Sequence, residues 1–202
     1  MTGGPARDTL NRMEATPVEV RLVRPEDLAA LLAIENWAIE HTAANFNTAP
    51  LPPEALRTEW ESARGRFPWF AAEDPRAGVV GFARSSPHRS RCAYAWTVEV
   101  SVYVDPAHHR SGLGRALYGA LLPTLRAQNF VTALAGIALP NPASVGLHEK
   151  LGFRHVGTYE RVGWKFETWH DVGYWELLLQ PAPGPPKALR TVDEALAGAP
   201  CQ

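Results

Sequence analysis

The segment from residue 96 to residue 128 constrains the fold most, because it reads as a strand, a glycine-containing turn and an amphipathic helix in succession. Apolar and polar residues alternate along its first part with the period of two that a β-strand requires. One face carries Trp96, Val98, Val100, Val102 and Val104, and the other carries Thr97, Glu99, Ser101 and Tyr103. A buried stripe is then predicted on the helix over 111–128, formed by Leu113, Leu117, Leu121 and Leu125.

The turn between this strand and helix is suited to binding a pyrophosphate. It leaves backbone N–H groups free at the start of a helix, where anions bind. Gly112 and Gly114 carry no Cβ that would keep a ligand's oxygen atoms away, and Arg110 and Arg115 add positive charge. A plain tight turn that contains two glycines remains the alternative, because short glycine patterns are weak evidence alone.

Two other classes of phosphate-binding loop do not fit. A Walker A loop ends in Gly-Lys-Ser/Thr, whereas Gly114 is followed by Arg115 and Ala116. A dinucleotide fingerprint needs a third glycine and an acidic residue about 20 positions further on. Here Leu117 occupies the glycine position, and residues 133–139 contain no acid. A coenzyme A pyrophosphate needs only the short turn and the helix N-terminus, so it is compatible.

Glu99 is the strand residue that most suggests chemistry. Glutamate is depleted in strands, and its neighbours on the same face, Thr97 and Ser101, carry hydroxyls. This pattern favours a wet cleft. A sheet face open to solvent remains the alternative, since polar residues are normal there at every second position.

A second candidate lies on a short helix predicted over 142–151. Asn141 is a suitable N-cap for it, and Gly152 is a suitable glycine after its C-terminus. His148 follows Ser144 by four residues and so shares its face. Imidazole can both give and take a proton near neutral pH. A lone helical histidine is more often a packed or surface residue, and both interpretations stay open.

The remaining pattern predicts an α+β protein with a mixed sheet, because a run of strands precedes an alternation of strands and helices. The strands are predicted over 18–23, 69–72, 78–85, 93–104, 131–139, 153–159 and 172–179, with further helices over 25–37 and 53–64. We expect a flexible leader at 1–17, one folded unit at 18–179 and a Pro-rich C-terminal tail at 180–202. A short helix over 191–196 is one option within the tail.

Composition excludes several classes of protein. A chain of 202 residues with 46% hydrophobic and 20% charged residues is typical of a globular domain rather than of a disordered segment. A formal net charge of −1 provides no field that attracts nucleic acid. No apolar run reaches the ~18 residues that span a bilayer, and the first 17 residues lack the apolar stretch of a signal peptide. We therefore expect no nucleic-acid or membrane partner.

Cysteine and histidine usage points to a cytoplasmic chain without a metal. Cys92 and Cys201 cannot form a disulfide framework or a four-cysteine zinc site. His108, His109 and His170 do not have the spacing of zinc ligands.

In these segments the chain resembles the GNAT superfamily of acyl-CoA-dependent N-acetyltransferases and, within it, the phosphinothricin N-acetyltransferase family. The matching motifs are NFNTAP at 45–50, FPW at 67–69, YAWTVE at 94–99, HHRSGLG at 108–114, LPN at 139–141, SVGLHE at 144–149 and WHDVGYW at 169–175. The glycine turn alone marks the superfamily. The NFNTAP motif, the helix that runs from LPN to SVGLHE and the late WHDVG motif together mark the narrower family.

The resemblance implies a mostly antiparallel, splayed sheet flanked by helices, with acetyl-CoA between the strands that end near Val104 and Leu139. The pantetheine arm would pair with the backbone of residues 102–104, and the turn at 109–115 would bind the pyrophosphate. The superfamily usually has Gln or Arg where this chain has His109, so only the backbone of His109 is expected to act. The implied cofactor-binding residues are Val102, Tyr103, Val104, His109, Arg110, Ser111, Gly112, Leu113, Gly114, Arg115, Asn141 and Ser144. A homodimer is also implied.

The resemblance also implies direct transfer of the acetyl group to a small amino acid that carries a phosphinate, sulfoximine or sulfone group. Glu99 is the candidate base for the incoming ammonium group, and His148 either protonates the leaving thiolate or shares in the deprotonation. The implied substrate-binding residues are Phe46, Arg89, Arg91, Tyr94 and Ser101. An enzyme that acts on another amine and a non-catalytic acetyl-CoA sensor remain the alternatives.

Overall fold

The computed structural model describes residues 18–181 and 184–198, and the leader predicted at 1–17 lies outside them. The strands in these ranges are β1 (Glu19–Leu22), β2 (Trp69–Asp74), β3 (Gly78–Pro87), β4 (Thr97–Val104), β5 (Thr132–Leu139), β6 (Arg154–Lys165) and β7 (Thr168–Leu178). The helices are α1 (Leu28–His41), α2 (Pro53–Ala63), α3 (Leu113–Ala127), α4 (Pro142–Lys150) and α5 (Val192–Ala197). Among the described helices, none combines the length and the apolar character that crossing a membrane requires.

The strands form one sheet in the order β1-β2-β3-β4-β5-β7-β6. Every neighbouring pair is antiparallel except β4 and β5, which run parallel. These two central strands pair only where residues 97–99 meet residues 132–134. Beyond that point β4 continues along β3 to Val104, and β5 continues along β7 to Leu139. The expected α+β architecture with a splayed, mostly antiparallel sheet is confirmed.

Hydrophobic packing covers both faces of the sheet. The valine face of β4 lies against α3, and both contribute to one large buried cluster. The leucine stripe predicted on α3 is confirmed, because Leu113, Leu117, Leu121 and Leu125 are all buried. A second cluster on the opposite face joins α1 and α2 to Phe82 of β3. The alternation along β4 therefore divides the molecule into two cores, and Glu99 points to the side of α1 and α2.

Three predicted strand ends are wrong. β4 begins at Thr97 rather than at residue 93, because Cys92–Tyr94 form a 3₁₀ turn in which the Ala95 N–H donates to the Cys92 carbonyl. β6 continues past residue 159 to Lys165, and β7 starts at Thr168 rather than at residue 172. The residues that join them, Phe166 and Glu167, have φ values of 52° and 56°. Neither residue type indicates such a left-handed turn in a sequence.

The described part of the C-terminal segment runs back along the folded unit. The Trp96 indole N–H donates to the Lys187 carbonyl at 2.7 Å, and the Val192 N–H donates to the Gly65 carbonyl at 2.8 Å. The short helix considered at 191–196 is present as α5, whose Val192 and Ala195 are buried. The division of the chain at residues 18 and 179 stays a prediction.

Candidate active site

The separation of β4 from β5 creates an opening in the middle of the sheet. Past Glu99, the edge of β4 that faces β5 has no strand partner, while its other edge remains paired with β3. Backbone N–H and C=O groups that lack a partner need one. The Val104 carbonyl accepts a hydrogen bond from Nε2 of the His109 ring at 3.0 Å. The rest of this edge can pair with an extended ligand that carries amide groups.

The turn that follows β4 presents a group of free donors. Within the described ranges, the backbone N–H groups of residues 110–114 meet no acceptor. Arg110 and Gly112 have positive φ values of 62° and 86°, which turn the chain sharply at the start of α3. Free N–H groups at a helix N-terminus attract an anion. The turn predicted to bind a pyrophosphate thus has a suitable geometry.

The two glycines of this turn have different surroundings in the structure. A Cβ at Gly112 would meet open space, so the requirement there is the left-handed backbone. A Cβ at Gly114 would lie 2.9 Å from Leu147 Cδ2 on α4. Gly114 thus also borders the Leu147 side chain of α4, and its expected role in making room for a ligand stays a prediction.

Helix α4 holds its polar residues by internal hydrogen bonds. Asn141 Oδ1 accepts from the Ser144 N–H at 3.1 Å, so Asn141 is the N-cap that the sequence indicates. His148 Nδ1 lies 2.8 Å from the Ser144 carbonyl, and its Nε2 lies 3.0 Å from the Tyr118 hydroxyl. A carbonyl only accepts, so Nδ1 carries the proton and Nε2 accepts from Tyr118. The His148 ring also meets Phe153 edge-on at 5.0 Å.

This environment determines the charge of His148. The side chain is buried, and burial lowers its pKa, although the hydrogen bond to Ser144 acts in the opposite direction. Burial also raises the pKa of Tyr118. His148 is therefore neutral at pH 7, and both of its ring nitrogens have partners inside the protein. Tyr118 was missed by the sequence analysis, because its position in α3 next to Leu117 indicates only core packing.

Glu99 has the opposite environment. Its side chain is 41% exposed, and its Oε1 lies 2.8 Å from Nδ1 of His88, which is 15% exposed. The His88 ring meets the Tyr94 ring edge-on at 5.5 Å. Arg89 Nε lies 3.3 Å from His88 Nε2. His88 was also missed, because it belongs to a polar loop between two strands and matches no motif.

A cavity of about 440 Å³ opens beside Glu99. It is lined by His88, Arg89, Glu99, Leu134, Val156, Gly157, Thr158, Tyr159 and Tyr174. A second recess is lined by Arg89, Ser90, Arg91 and Tyr94. Burial, together with the nearby charge of Glu99, raises the pKa of Tyr174. Arg89 thus lines both recesses, which places Arg91 and Tyr94 next to the cavity of Glu99.

Phe46 lies in the segment between α1 and α2, and its side chain packs against the β6–β7 hairpin. Its ring is 6.0 Å from the His170 ring and covers Gly163, where a Cβ would overlap it. The Lys165 ammonium group holds the segment that carries Phe46 by donating to the carbonyls of Thr42 and Asn45 at 2.9 and 2.7 Å. Phe46 is not among the residues that line the Glu99 cavity.

Ser101 and Tyr103 continue the face of Glu99 towards a buried ionic network. Ser101 lies opposite Arg84 in the β3–β4 register. Arg84 contacts both carboxylate oxygens of Glu35 at 2.8 and 3.0 Å, and Asn45 donates to Glu35 and to the Tyr103 hydroxyl. The Tyr103 side chain is therefore engaged within the protein, and its backbone lies opposite Phe82 in the β3–β4 pairing. Residues 18–181 and 184–198 contain no cluster of three His, Cys, Asp or Glu side chains that could hold a metal ion.

Comparison with known proteins identifies the family. Residues 31–153 match the acetyltransferase (GNAT) family. The chain is 42% identical over 181 residues to the phosphinothricin N-acetyltransferase of Streptomyces viridochromogenes, which covers 90% of this chain and 98% of that protein. It is 38% identical over 162 residues to the L-methionine sulfoximine/L-methionine sulfone acetyltransferase of Pseudomonas paraeruginosa, which covers 79% of this chain and 94% of that protein.

The fold gives the same result. The crystal structure of a GNAT superfamily phosphinothricin acetyltransferase from Sinorhizobium meliloti, in complex with acetyl-CoA, superposes with a TM-score of 0.82. The identity is 27%, over 85% of this chain and 94% of that one. By sequence and by structure, the chain belongs to the GNAT family of acetyltransferases.

Proposed function

We propose that this acetyltransferase moves the acetyl group of acetyl-CoA directly onto the amino group of a small amino-acid-like substrate of the phosphinothricin, methionine sulfoximine or methionine sulfone type. The observation that carries the proposal is the place of Glu99. Its half-exposed carboxylate stands where β4 and β5 part, in a cavity that Arg89 also lines. A carboxylate there can take a proton from an ammonium group.

Acetyl-CoA is the acetyl donor, and we propose where it binds. Past Glu99, the edge of β4 that faces β5 has no strand partner and, apart from the Val104 carbonyl, suits the amide groups of the pantetheine arm. The free N–H groups of residues 110–114 suit the pyrophosphate, and Arg110 and Arg115 add positive charge. Asn141 uses Oδ1 as a helix cap, which leaves its Nδ2 for the cofactor.

The acidic groups of the substrate would bind to Arg89 and Arg91. Both line the recess that also includes Tyr94. A guanidinium group is planar and can bind a carboxylate through two parallel hydrogen bonds. Relatives at 42% and 38% identity are named for phosphinothricin and for methionine sulfoximine and sulfone, which are amino acids of this kind.

The reaction follows from these positions. Glu99 takes one proton from the substrate ammonium group, and the neutral amine attacks the acetyl carbonyl. A bond forms between nitrogen and carbon as the bond between carbon and sulfur breaks. The nitrogen loses a second proton, and the thiolate of coenzyme A takes up a proton as it leaves. His148 remains a candidate for the proton transfer to the thiolate. The division of base and acid roles between Glu99 and His148 stays open.

The test is thiol release from acetyl-CoA with a panel of acceptors: phosphinothricin, methionine sulfoximine, methionine sulfone, unmodified amino acids and a peptide. Rapid, saturable release with the first three supports the proposed substrate class. Release only with another amine would contradict the proposed substrate class but would still show an acetyltransferase activity. Tight acetyl-CoA binding without release from any acceptor would favour the sensor.

Two variants assign the residues. Glu99→Gln should lower kcat by about 100-fold, because it removes a general base, without changing the Kd of acetyl-CoA. Arg91→Glu should raise KM for acceptors with a carboxylate and leave other amines unaffected. An unchanged kcat in Glu99→Gln would remove Glu99 as the base.

A homodimer is the second part of the proposal. The β6–β7 hairpin carries large apolar side chains that are about half exposed: Val156, Tyr159, Val162, Trp164, Phe166 and Trp169. β6 is also an edge strand, and exposed apolar patches on such edges favour association. Light scattering should show a dimer at micromolar concentration, and Trp164→Glu should shift it towards monomer. A monomeric wild-type protein would contradict this assembly.

A further inference from the structure

The loop between β3 and β4 supplies a histidine that directly contacts the proposed base. His88 Nδ1 lies 2.8 Å from Glu99 Oε1. The His88 side chain is largely enclosed, whereas the Glu99 carboxylate remains accessible from the cavity. Tyr94 packs edge-on against the imidazole and restricts the orientation of the ring. Glu99 is therefore held from the side of the loop by one well-defined partner.

The hydrogen bonds of His88 determine its protonation. A carboxylate oxygen only accepts, so Nδ1 carries the proton that binds Glu99. On the other side of the ring, Arg89 Nε lies 3.3 Å from Nε2. A guanidinium group only donates, so Nε2 is unprotonated. The geometry thus describes a neutral imidazole between a carboxylate and a guanidinium group.

We propose that His88 is a positioning residue for Glu99 and that acetyl transfer requires its neutral form. The inference rests on the proposed function, in which Glu99 is the base. By donating to Oε1, His88 fixes the plane of the carboxylate and leaves Oε2 as the oxygen that takes the ammonium proton. The substrate proton moves to Oε2 while the Nδ1–H bond to Oε1 stays in place.

Protonation of His88 at Nε2 would oppose this step in two ways. A cation bound to Oε1 makes Glu99 a weaker base, because it stabilises the charged carboxylate. It also repels the substrate ammonium group. The other charged or titratable groups that face the pair are Arg89 from the loop and the phenols of Tyr94, Tyr159 and Tyr174.

Two substitutions separate positioning from general packing. His88→Phe keeps an aromatic ring beside Tyr94 and removes the hydrogen bond to Glu99. His88→Asn keeps a nitrogen donor close to the position of Nδ1 but cannot titrate. His155→Asn is the matched control, because His155 lies beside Trp175 on the opposite face of the sheet.

The measurement is kcat and both KM values between pH 5.5 and 8.5, with the best acceptor from the panel. We expect His88→Phe to lower kcat about 10-fold or more, a part of the effect of a general base, with KM for acetyl-CoA unchanged. His88→Asn should recover most of kcat at pH 8 and keep its activity to a lower pH than the wild type. His155→Asn should match the wild type throughout.

Three results would overturn the inference: a wild-type profile in His88→Phe, an equal loss in His88→Asn and His88→Phe, or an acid limb in His88→Asn that coincides with that of the wild type. If no acceptor is acetylated, the proposed function fails. The hydrogen bond between His88 and Glu99 can then still be tested by NMR, which needs no turnover. In ¹⁵N spectra of histidine-labelled protein, the signal lost in His88→Asn should report the Nδ1–H tautomer and should shift in Glu99→Gln. An Nε2–H tautomer, or no response to Glu99→Gln, would overturn the positioning role.

Discussion

Glu99 and His148 show how burial separates two side chains that the sequence makes equally attractive. Glu99 lies on the polar face of β4, where the sheet opens, and keeps contact with solvent. His148 lies on α4 against Tyr118 and Phe153, and it is buried. An exposed carboxylate can exchange protons with a substrate. A buried, fully hydrogen-bonded imidazole stabilises the interface between α3 and α4.

The burial of His148 predicts a dependence of stability on pH. Its pKa in the folded protein lies below the ordinary value of 6.5, so the unfolded chain binds the proton first as the pH falls. The contribution of neutral His148 to the free energy of unfolding is complete above about pH 6.5. It is lost as the pH falls below that value, by up to about 1.4 kcal/mol per pH unit. Denaturant unfolding of the wild type and of His148→Asn measures this difference. If the free energies of unfolding of the two proteins changed with pH in the same way, the prediction would be contradicted.

At the scale of elements, the start of α3 depends on one backbone conformation. Gly112 has a φ of 86°, which a β-branched residue adopts only with strain. Gly112→Val should displace the free N–H groups of the turn and raise the Kd of acetyl-CoA about 10-fold or more, since strain of this kind costs about 1–3 kcal/mol. Isothermal titration measures the Kd. Gly119→Ala, in open space on the same helix, should leave it unchanged, and an unaltered Kd in Gly112→Val would refute the placement of the pyrophosphate.

The attachment of α1 to β3 depends on a buried ion pair. Arg84 binds Glu35 through two hydrogen bonds, and the Glu35 carboxyl is almost inaccessible. Glu35→Ala should lower the free energy of unfolding by about 3–5 kcal/mol, because it leaves a buried guanidinium group without its main partner. Arg57→Ala, which breaks the exposed pair with Glu61, should cost less than about 1 kcal/mol. Similar losses of unfolding free energy in Glu35→Ala and Arg57→Ala would show that the ion pair between Arg84 and Glu35 does not attach α1 to β3.

At the scale of the whole molecule, the described part of the C-terminal segment packs against the folded unit. Val192 of α5 is buried, whereas Leu196 on the same helix is 38% exposed. Val192→Ala should lower the free energy of unfolding by about 2 kcal/mol, from the lost apolar contact and the cavity left behind. Leu196→Ala should have a smaller effect. Thermal unfolding compares them, and equal, negligible shifts would show that α5 adds nothing to stability.

Local patterns predicted much of this architecture. The alternation at 96–104 and the leucine stripe of α3 are periodic over enough residues to determine which faces are buried. Asn141 was recognisable as an N-cap, because capping depends on neighbouring residues only. Such features require no knowledge of distant parts of the chain.

Other features depend on contacts between residues far apart in sequence, and the sequence pattern did not reveal them. The closeness of Gly114 to Leu147 joins two helices, and the length of the β6–β7 hairpin depends on a turn at Phe166 and Glu167. The contact between His88 and Glu99 joins a loop to a strand. The cytoplasmic setting stays a prediction from composition.

The sequence by itself determined the α+β class, the polar face of β4, the glycine turn and the family resemblance, because each is written in neighbouring residues. Only the tertiary structure decided the surroundings of the candidate side chains. It buries His148 between two helices, packs Phe46 against the β6–β7 hairpin and leaves Glu99 at the opening with His88 beside it. The physical reason is that burial and hydrogen-bond partners come from the packing of distant elements, and these determine the charge and accessibility of each group.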